Sequence, residues 1–513
     1  MRSQGDLEKI PQEVVSQISE LETRIMTDIV RRIRANGFSG ASSDWQITRL
    51  QQLGESDHQI KDMVKQALGN IDTSLDDIFS DTVYEEYYGH ARSYKPFGRE
   101  QIPFEENEQL QELVEGIRNQ TKETFRNMTN SMGFALRDPL TGSLRYSPLM
   151  KFYQDTMDAA MWDIFSGAFD YYTVLNRTVG QMAASGIRWI DYDSGSRNRI
   201  DVAARRAIMT GFRQIQGKIN EQVAEELGTD QYEVSAHVGA RPSHQPWQGR
   251  VYTMQQLKDV CGLGEITGLL GINCYHDYQA FPPGSIRTYT DEQLAQMMTK
   301  ENTPKEYAGK EYKTYEALQK QRTMERAMRK IRQEIRLLQE GGAPDQDVML
   351  KKAKYQGQMQ EYRAFSEAME LPQQMKRVYQ DGLNGKFTPT KAEQKMLEES
   401  AINDKMKADI KAAGIRGEIN INPQIPDVEK LSFDEKHVNQ ERGHNVTEAE
   451  AKSYIQNALF STTKWKGKFT NYYSSEGAAF VDNESQHIKT AFKKEQYDKA
   501  AVTAMEVLKR GRT

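Results

Sequence analysis

The chain has 513 residues, of which 37% are hydrophobic and 27% charged, with a formal net charge of −5 and a mean hydropathy of −0.76. That length exceeds one ordinary core and predicts roughly two to four domains, while the polar balance argues against a thick sheet core and for elongated helices with one buried stripe. The charges are interspersed, so no overall attraction to nucleic acid follows from them although local basic clusters could matter, and two cysteines in the whole chain argue against a disulfide framework and for synthesis in a reducing compartment.

Residues 1–180 read as a helical N-terminal region. The start, MRSQGDLEKIPQEV, lacks the basic-then-apolar layout of a signal peptide. Ile18, Leu21, Ile25, Ile29 and Ile33 recur at three- and four-residue steps, as on one face of a helix. A start signal at Ser42, Ser43 and Asp44 opens a second helix, with Trp45, Ile47 and Leu50, that Gly54 should end. Ile60, Met63, Val64 and Leu68 predict a third, stopped at Gly69. The aromatic cluster from Tyr84 to Gly98, beside Arg92 and Lys95, suits either base stacking or packing on a neighbouring subunit. Leu110, Leu113, Ile117, Phe125 and Met128 restore helical periodicity. Met157, Met161, Ile164, Phe165, Phe169 and Tyr172 should then line the thickest part of a helical core.

Residues 181–300 read as a mixed α+β core. Ile187 and Trp189 predict a strand, Asp193 to Ser196 a turn, and Asp201 the start of a helix ending near Leu227 and Gly228. Arg205 and Arg206 lie early in that helix, where positive charge opposes the dipole and suggests a carboxylate or phosphate partner. The stretch from Val234 to Ser285 holds His237, His244 and His276, three of the eight histidines, together with Cys261, Cys274 and Trp247. Three readings fit it. His237, His244, Cys274 and His276 are candidate metal ligands, since imidazole and thiolate are the usual zinc donors, although their spacing is irregular. His237, Arg241 and His244 could act as base, anion holder and acid, but no nucleophile elbow, P-loop or paired carboxylate accompanies them. The favoured reading is structural, with these side chains tying Gly/Pro-rich loops together by hydrogen bonds. No cofactor is expected.

Residues 301–380 predict a long αα-hairpin. Met324, Met328, Ile331, Ile335 and Leu338 form a heptad seam, Gly341 to Pro344 break it, and Val348, Tyr355, Met359, Tyr362 and Met369 return as a second helix. The face carrying Arg322, Arg326, Arg329, Lys330, Arg332 and Arg336 with Glu325 and Glu334 reads as solvated and ion-paired, with DNA or an acidic protein as the alternative. Residues 381–430 read as a linker with one short helix. Residues 431–513 read as a separate small α+β domain, in which Thr447 and Glu450 form a capping box for a helix through Leu459, followed by short antiparallel strands. No run of ~18 apolar residues predicts a membrane span.

The run from His237 to Tyr252, His-x-Gly-Ala-Arg-Pro-x-His-x-x-Trp-Gln-Gly-Arg-Val-Tyr, followed by Asn-Cys-x-His and Phe-Pro-Pro-Gly, resembles the phage minor capsid protein 2 family, MuF-like head proteins of tailed phages. The resemblance extends to the helix from Tyr315 to Arg336 and covers roughly residues 1–380. It implies a structural virion protein, made in the bacterial host cytoplasm, that acts in head morphogenesis with the portal protein and the major capsid protein. Contact with packaged DNA and ejection with the genome are further expectations.

The tail, through Phe433-Asp434-x-Lys436-His437, Arg442-Gly443-His444, Trp465-x-Gly467-x-Phe469, Tyr472-Tyr473 and Ile488 to Phe492, resembles phage barnase/EndoU/RelE-like nuclease domains. Metal-independent RNA cleavage needs a base, an acid and cations at the phosphate. The resemblance gives those roles to His437 and His444 as base and acid, to Arg442 or Lys464 at the phosphate, and to Tyr473 and Thr490 as hydrogen-bonding groups, with host RNA as substrate.

Overall fold

A computed structural model of the chain describes residues 2, 4–37, 45–137, 141–165, 168–190 and 197–511. The chain is mainly helical with several small sheets and forms two compact units, Met1–Thr388 and Pro389–Thr513. The helices of nine residues or more in the first unit are α1 (Gln12–Gly37), α2 (Trp45–Asp77), α3 (Glu108–Asn130), α4 (Leu149–Phe165), α5 (Tyr171–Ser185), α6 (Ile200–Leu227), α7 (Asp291–Asn302), α8 (Thr314–Glu340) and α9 (Asp345–Ala368).

The stripe read from the sequence is the buried face of α1, where Ile18, Leu21, Ile25, Ile29 and Ile33 are each at most 2% exposed. The two stops predicted at Gly54 and Gly69 are absent, because α2 runs unbroken through both. A helical glycine costs only about 1 kcal/mol relative to alanine. Burial of Ile60, Ile71 and Leu75 in the same helix outweighs that. The start signal at residues 42–44 lies outside the described residues. The aromatic cluster packs inward in part. Tyr87 and Tyr94 are buried, and their hydroxyls donate to the Ile102 carbonyl at 2.7 Å and the Glu226 carboxylate at 2.6 Å.

Three strands of the first sheet escaped the sequence reading. β1 (Met132–Arg137) and β2 (Leu144–Pro148) form a hairpin, and β3 (Ile187–Ile190), predicted as a strand, with β4 (Arg197–Arg199) completes an antiparallel sheet in the order β2-β1-β3-β4. The turn expected at 193–196 lies outside the described residues. The apolar face predicted across 157–172 ends within α4. That helix buries Phe152, Tyr153, Met157 and Ala160, whereas Phe169 and Tyr172 are exposed. The side chains of Met161 and Phe165 are outside the described residues.

Helix α6 is buried on nearly every side, as expected of a central element. Gly211 lets α3 approach it, since a Cβ there would lie 2.9 Å from Ile117 Cγ2 and 3.1 Å from Phe79 Cζ. After α6 come β5 (Gln231–Val234), β6 (Val251–Thr253) and β7 (Tyr278–Ala280), an antiparallel sheet in the order β6-β5-β7. The short hairpin β8 (Lys305–Tyr307) and β9 (Lys310–Tyr312) leads into α8.

Helices α8 and α9 are the expected αα-hairpin, with Met328, Ile331, Ile335 and Leu338 buried along the seam. The opposite face is not uniformly solvated. Glu325, Arg332 and Glu334 are 2–4% exposed, Glu334 because it pairs with Lys351 of α9, and Glu325 and Arg332 because residues 375–387 pack against α8. There Arg332 holds Asp381, and its guanidinium lies 4.1 Å from the Phe387 ring centroid.

The second unit contains α10 (Lys391–Ala412), α11 (Glu448–Gln456) and α12 (Lys499–Gly511). Its sheet comprises β10 (Glu418–Asn420), β11 (Ser432–Phe433), β12 (Phe460–Lys464), β13 (Phe469–Tyr473), β14 (Gly477–Asp482) and β15 (His487–Lys493), in the order β10-β12-β13-β14-β15-β11. All pairs are antiparallel except β11 with β15. Residues 391–420, expected within a linker, instead supply a long helix and an edge strand of this unit. The capping box of Thr447 and Glu450 is present, although its helix ends at Gln456 rather than Leu459. Alternation along the strands gives two cores. Tyr472, Ala479, Val481 and Ala491 meet Ala451 and Ile455 of α11, while Phe460, Tyr473 and Ala478 meet Met406, Ile410, Ala504 and Leu508 of α10 and α12.

Candidate functional site

Two loops of the first unit converge beside β5. In the first, between β5 and β6, a tight turn in which the amides of His244 and Gln245 donate to the Arg241 carbonyl brings the imidazole of His244 over Trp247, ring centroids 4.6 Å apart. The second leads from Cys261 to β7. It doubles back so closely that a Cβ on Gly268 would fall 1.9 Å from the Gly262 carbonyl oxygen, which restricts position 268 to glycine. Asn273, at φ 57°, then turns the chain so that Cys274 and His276 are buried. The ends of the two loops are stitched by the Ser235 amide, which donates to the Asp277 carbonyl at 2.8 Å.

The Sγ of Cys274 lies 3.5 Å from His276 Nδ1 and 3.8 Å from His244 Nδ1. His276 is 0% exposed and His244 3%. Each imidazole turns its other nitrogen outward, His244 Nε2 to the Thr267 carbonyl at 2.8 Å and His276 Nε2 to Gln248 Oε1 at 3.0 Å. Arg241 donates to the carbonyls of Thr267 and Ile272 at 2.9 and 3.1 Å. It therefore fastens the second loop instead of standing free to hold an anion, as the structural reading expected. Burial lowers the pKa of His276 well below the usual imidazole range, with the charges of His237 and His244 adding to it. Burial likewise lowers His244 and His237 and raises the Cys274 thiol. His237, whose ring lies 4.3 Å from that of His276, bonds the Val238 carbonyl through Nδ1. Cys261 is buried but outside this group, and its thiol is pushed up to about 12 by desolvation. Sequence spacing could not reveal the cluster, because thirty residues separate His244 from Cys274 and only the folding of both loops joins them.

A cavity of about 110 Å³ touches the cluster, lined by His237, His244, Cys274, His276, Tyr275 and Arg322. Beside it, a larger cavity of about 270 Å³ is lined by seven arginines, at 205, 206, 213, 322, 326, 329 and 377, against the carboxylates of Asp201 and Glu325. Arg205 donates to the Tyr275 hydroxyl at 2.7 Å, and Arg377 pairs with Glu8 at 2.7 Å. Burial lowers the pKa of Arg329 despite the nearby charge of Asp201. The arginines come from α6, α8 and the segment after α9, so no single stretch of sequence displays the concentration.

The model of one protein family, described as phage minor capsid protein 2, matches residues 4–366. The chain belongs to that family. The match takes in both converging loops and nearly the whole αα-hairpin of this minor capsid protein, and stops short of its second unit. No curated protein and no solved structure matches the chain.

In the second unit of this family member, the six residues singled out from sequence do not converge on one point. His437 is half-buried in the short helical segment Lys436–Glu441 and bonds Glu441 Oε2 through Nδ1 at 2.7 Å. His444 lies against Phe492, ring centroids 5.6 Å apart, and bonds Gln496. Thr490, two residues from Phe492 along β15, is on the same sheet face. Arg442 is exposed. Lys464 pairs with Phe469 at one end of the β12–β13 hairpin, and Tyr473 pairs with Phe460 at the other. Tyr473 is buried, with its ring stacked on Phe460 at 4.6 Å, which gives it a packing role.

Proposed function

We propose that this chain is a structural protein of the phage head, acting in head morphogenesis beside the portal and the major capsid protein. The family match across residues 4–366 carries this reading. Its mainly helical first unit supplies long faces for docking. Phosphates of packaged DNA are a further proposed contact, supported by Arg206, Arg322 and Arg329, none of which forms an ion pair among the described residues. The test is deletion of the gene, with mass spectrometry and cross-linking of purified wild-type particles. The reading requires the chain in particles, cross-links to the portal protein, and a loss of infectious heads on deletion. Normal particle yield without the gene, and absence of the chain from wild-type particles, would overturn it.

A second reading, for residues 389–513, is a metal-independent ribonuclease delivered by the first unit. The observation that favours it is the half-buried His437 imidazole oriented by the Glu441 carboxylate, an arrangement suited to a general base. Expression of residues 389–513 in a bacterium, beside His437→Ala with His444→Ala, tests it through growth and RNA integrity. Toxicity abolished in the double variant supports the reading, and a harmless, folded wild-type unit refutes it.

A further inference from the structure

The geometry points to a mononuclear zinc-class metal site formed by His244 Nδ1, Cys274 Sγ and His276 Nδ1, with its fourth position facing the adjoining cavity. The three ligand atoms lie within 4.8 Å of one another and all three residues are buried. Zinc takes sulfur at ~2.3 Å and imidazole nitrogen at ~2.0–2.1 Å, so two such ligands on a tetrahedral ion stand about 3.6 Å apart. The observed separations of 3.5 and 3.8 Å bracket that value.

Hydrogen-bond accounting supports an ion over a simple bonded cluster. The Thr267 carbonyl can only accept, so His244 Nε2 carries a proton. Gln248 Oε1 accepts the His237 amide at 3.1 Å, which fixes the orientation of the carboxamide and makes His276 Nε2 a donor as well. In the neutral rings that burial favours, both Nδ1 atoms are then bare acceptors facing one sulfur. A thiol has a single proton and can satisfy one of them, leaving a buried nitrogen lone pair without a donor. A divalent ion satisfies both nitrogens and the sulfur, and its binding releases the thiol proton to solvent. The outward Nε2–H bonds to a carbonyl and a carboxamide oxygen are the outer partners that orient metal-bound histidines.

The remaining direction opens on the cavity that also holds His237, Tyr275 and Arg322. The site therefore leaves room for a water molecule or an anion as its fourth ligand, as three-ligand zinc sites do.

The test uses the full-length protein, purified without a metal-affinity tag and analysed for zinc, then stripped with chelator and titrated with cobalt(II) alone. The expected result is close to one zinc per chain and, with cobalt, a near-ultraviolet thiolate-to-metal charge-transfer band. That band should vanish in Cys274→Ser and persist in Cys261→Ser. Gln248→Met should keep the band but weaken cobalt binding roughly 10–100-fold, as loss of an outer partner does. Circular dichroism identifies which variants are folded, and only those are scored. A folded wild-type chain that contains no zinc and gives no cobalt band would overturn the site, as would a band that survives in Cys274→Ser.

Discussion

Arg332 and Asp381 form a buried bidentate pair, with Nε to Oδ2 at 2.6 Å and Nη2 to Oδ1 at 3.1 Å. The same guanidinium donates to the Leu383 carbonyl at 2.7 Å and faces the Phe387 ring, so one side chain secures the segment after α9 to α8. Removing one partner strands a buried charge, at a cost of about 3–5 kcal/mol. Asp381→Ala should lower the stability of the first unit by that order. The double variant Arg332→Met with Asp381→Leu should recover much of the loss. Chemical denaturation of the variants checks both.

Acid should act on the first unit through Glu86. Burial opposes its charge, but the His90 imidazole 3.9 Å away and hydrogen bonds from Gln216 and Arg2 prevail and hold the carboxyl down at about 2, against an ordinary value of 4.5. Because the folded value is the lower one, this stabilisation is complete above the ordinary value and is lost as pH falls toward the folded one. Its size is roughly 3 kcal/mol. Glu86→Gln should therefore flatten the decline of stability between those two pH values, as measured by urea midpoints across that range.

Packing of α3 on α6 turns on Gly211. A valine there would have to displace Ile117, Phe79 or Thr121, which lie within 2.9–3.1 Å of the new Cβ, and overpacking of this kind costs about 1–3 kcal/mol. Gly211→Val should lower the melting temperature. Gly69→Ala, where nothing lies within 4 Å of the added atom, should raise stability by up to about 1 kcal/mol.

The second unit should depend on the segment that the sequence presents as a linker. Met406, Ile410 and Ile415 cover Phe460 and Tyr473, so residues 389–513 should fold as an isolated fragment. Residues 431–513 should expose that core and melt at lower temperature or aggregate. Thermal unfolding and light scattering of the two fragments distinguish them. Within the longer fragment, Thr447→Ala should cost about 1 kcal/mol through loss of the helix cap.

Elements written in local periodicity were legible beforehand. The seam from Met328 to Leu338 and the cap at Thr447 depend on neighbours three or four residues away, and both stand where expected. What escaped depends on distant partners. Glu325, Arg332 and Glu334 have the composition of a solvated face, and burial by residues far along the chain reverses that. Residues 391–412 are polar enough to resemble a tether, because only Met406 and Ile410 of that helix are buried. The candidate site divides in the same way. His237, His244, Cys274 and His276 stood out by residue type, but the placing of two imidazoles around one sulfur, with His237 alongside, emerges from the fold of two loops.

The Thr267 carbonyl oxygen accepts from both Arg241 and His244, while the Thr267 residue itself is exposed. A backbone acceptor is common to all twenty residue types, so sequence variation at position 267 leaves the junction untouched, whereas positions 241 and 244 must supply specific donors. A mutational scan of this region would therefore record a permissive site at the point where the two loops are most firmly joined, with the intolerance displaced more than twenty residues upstream.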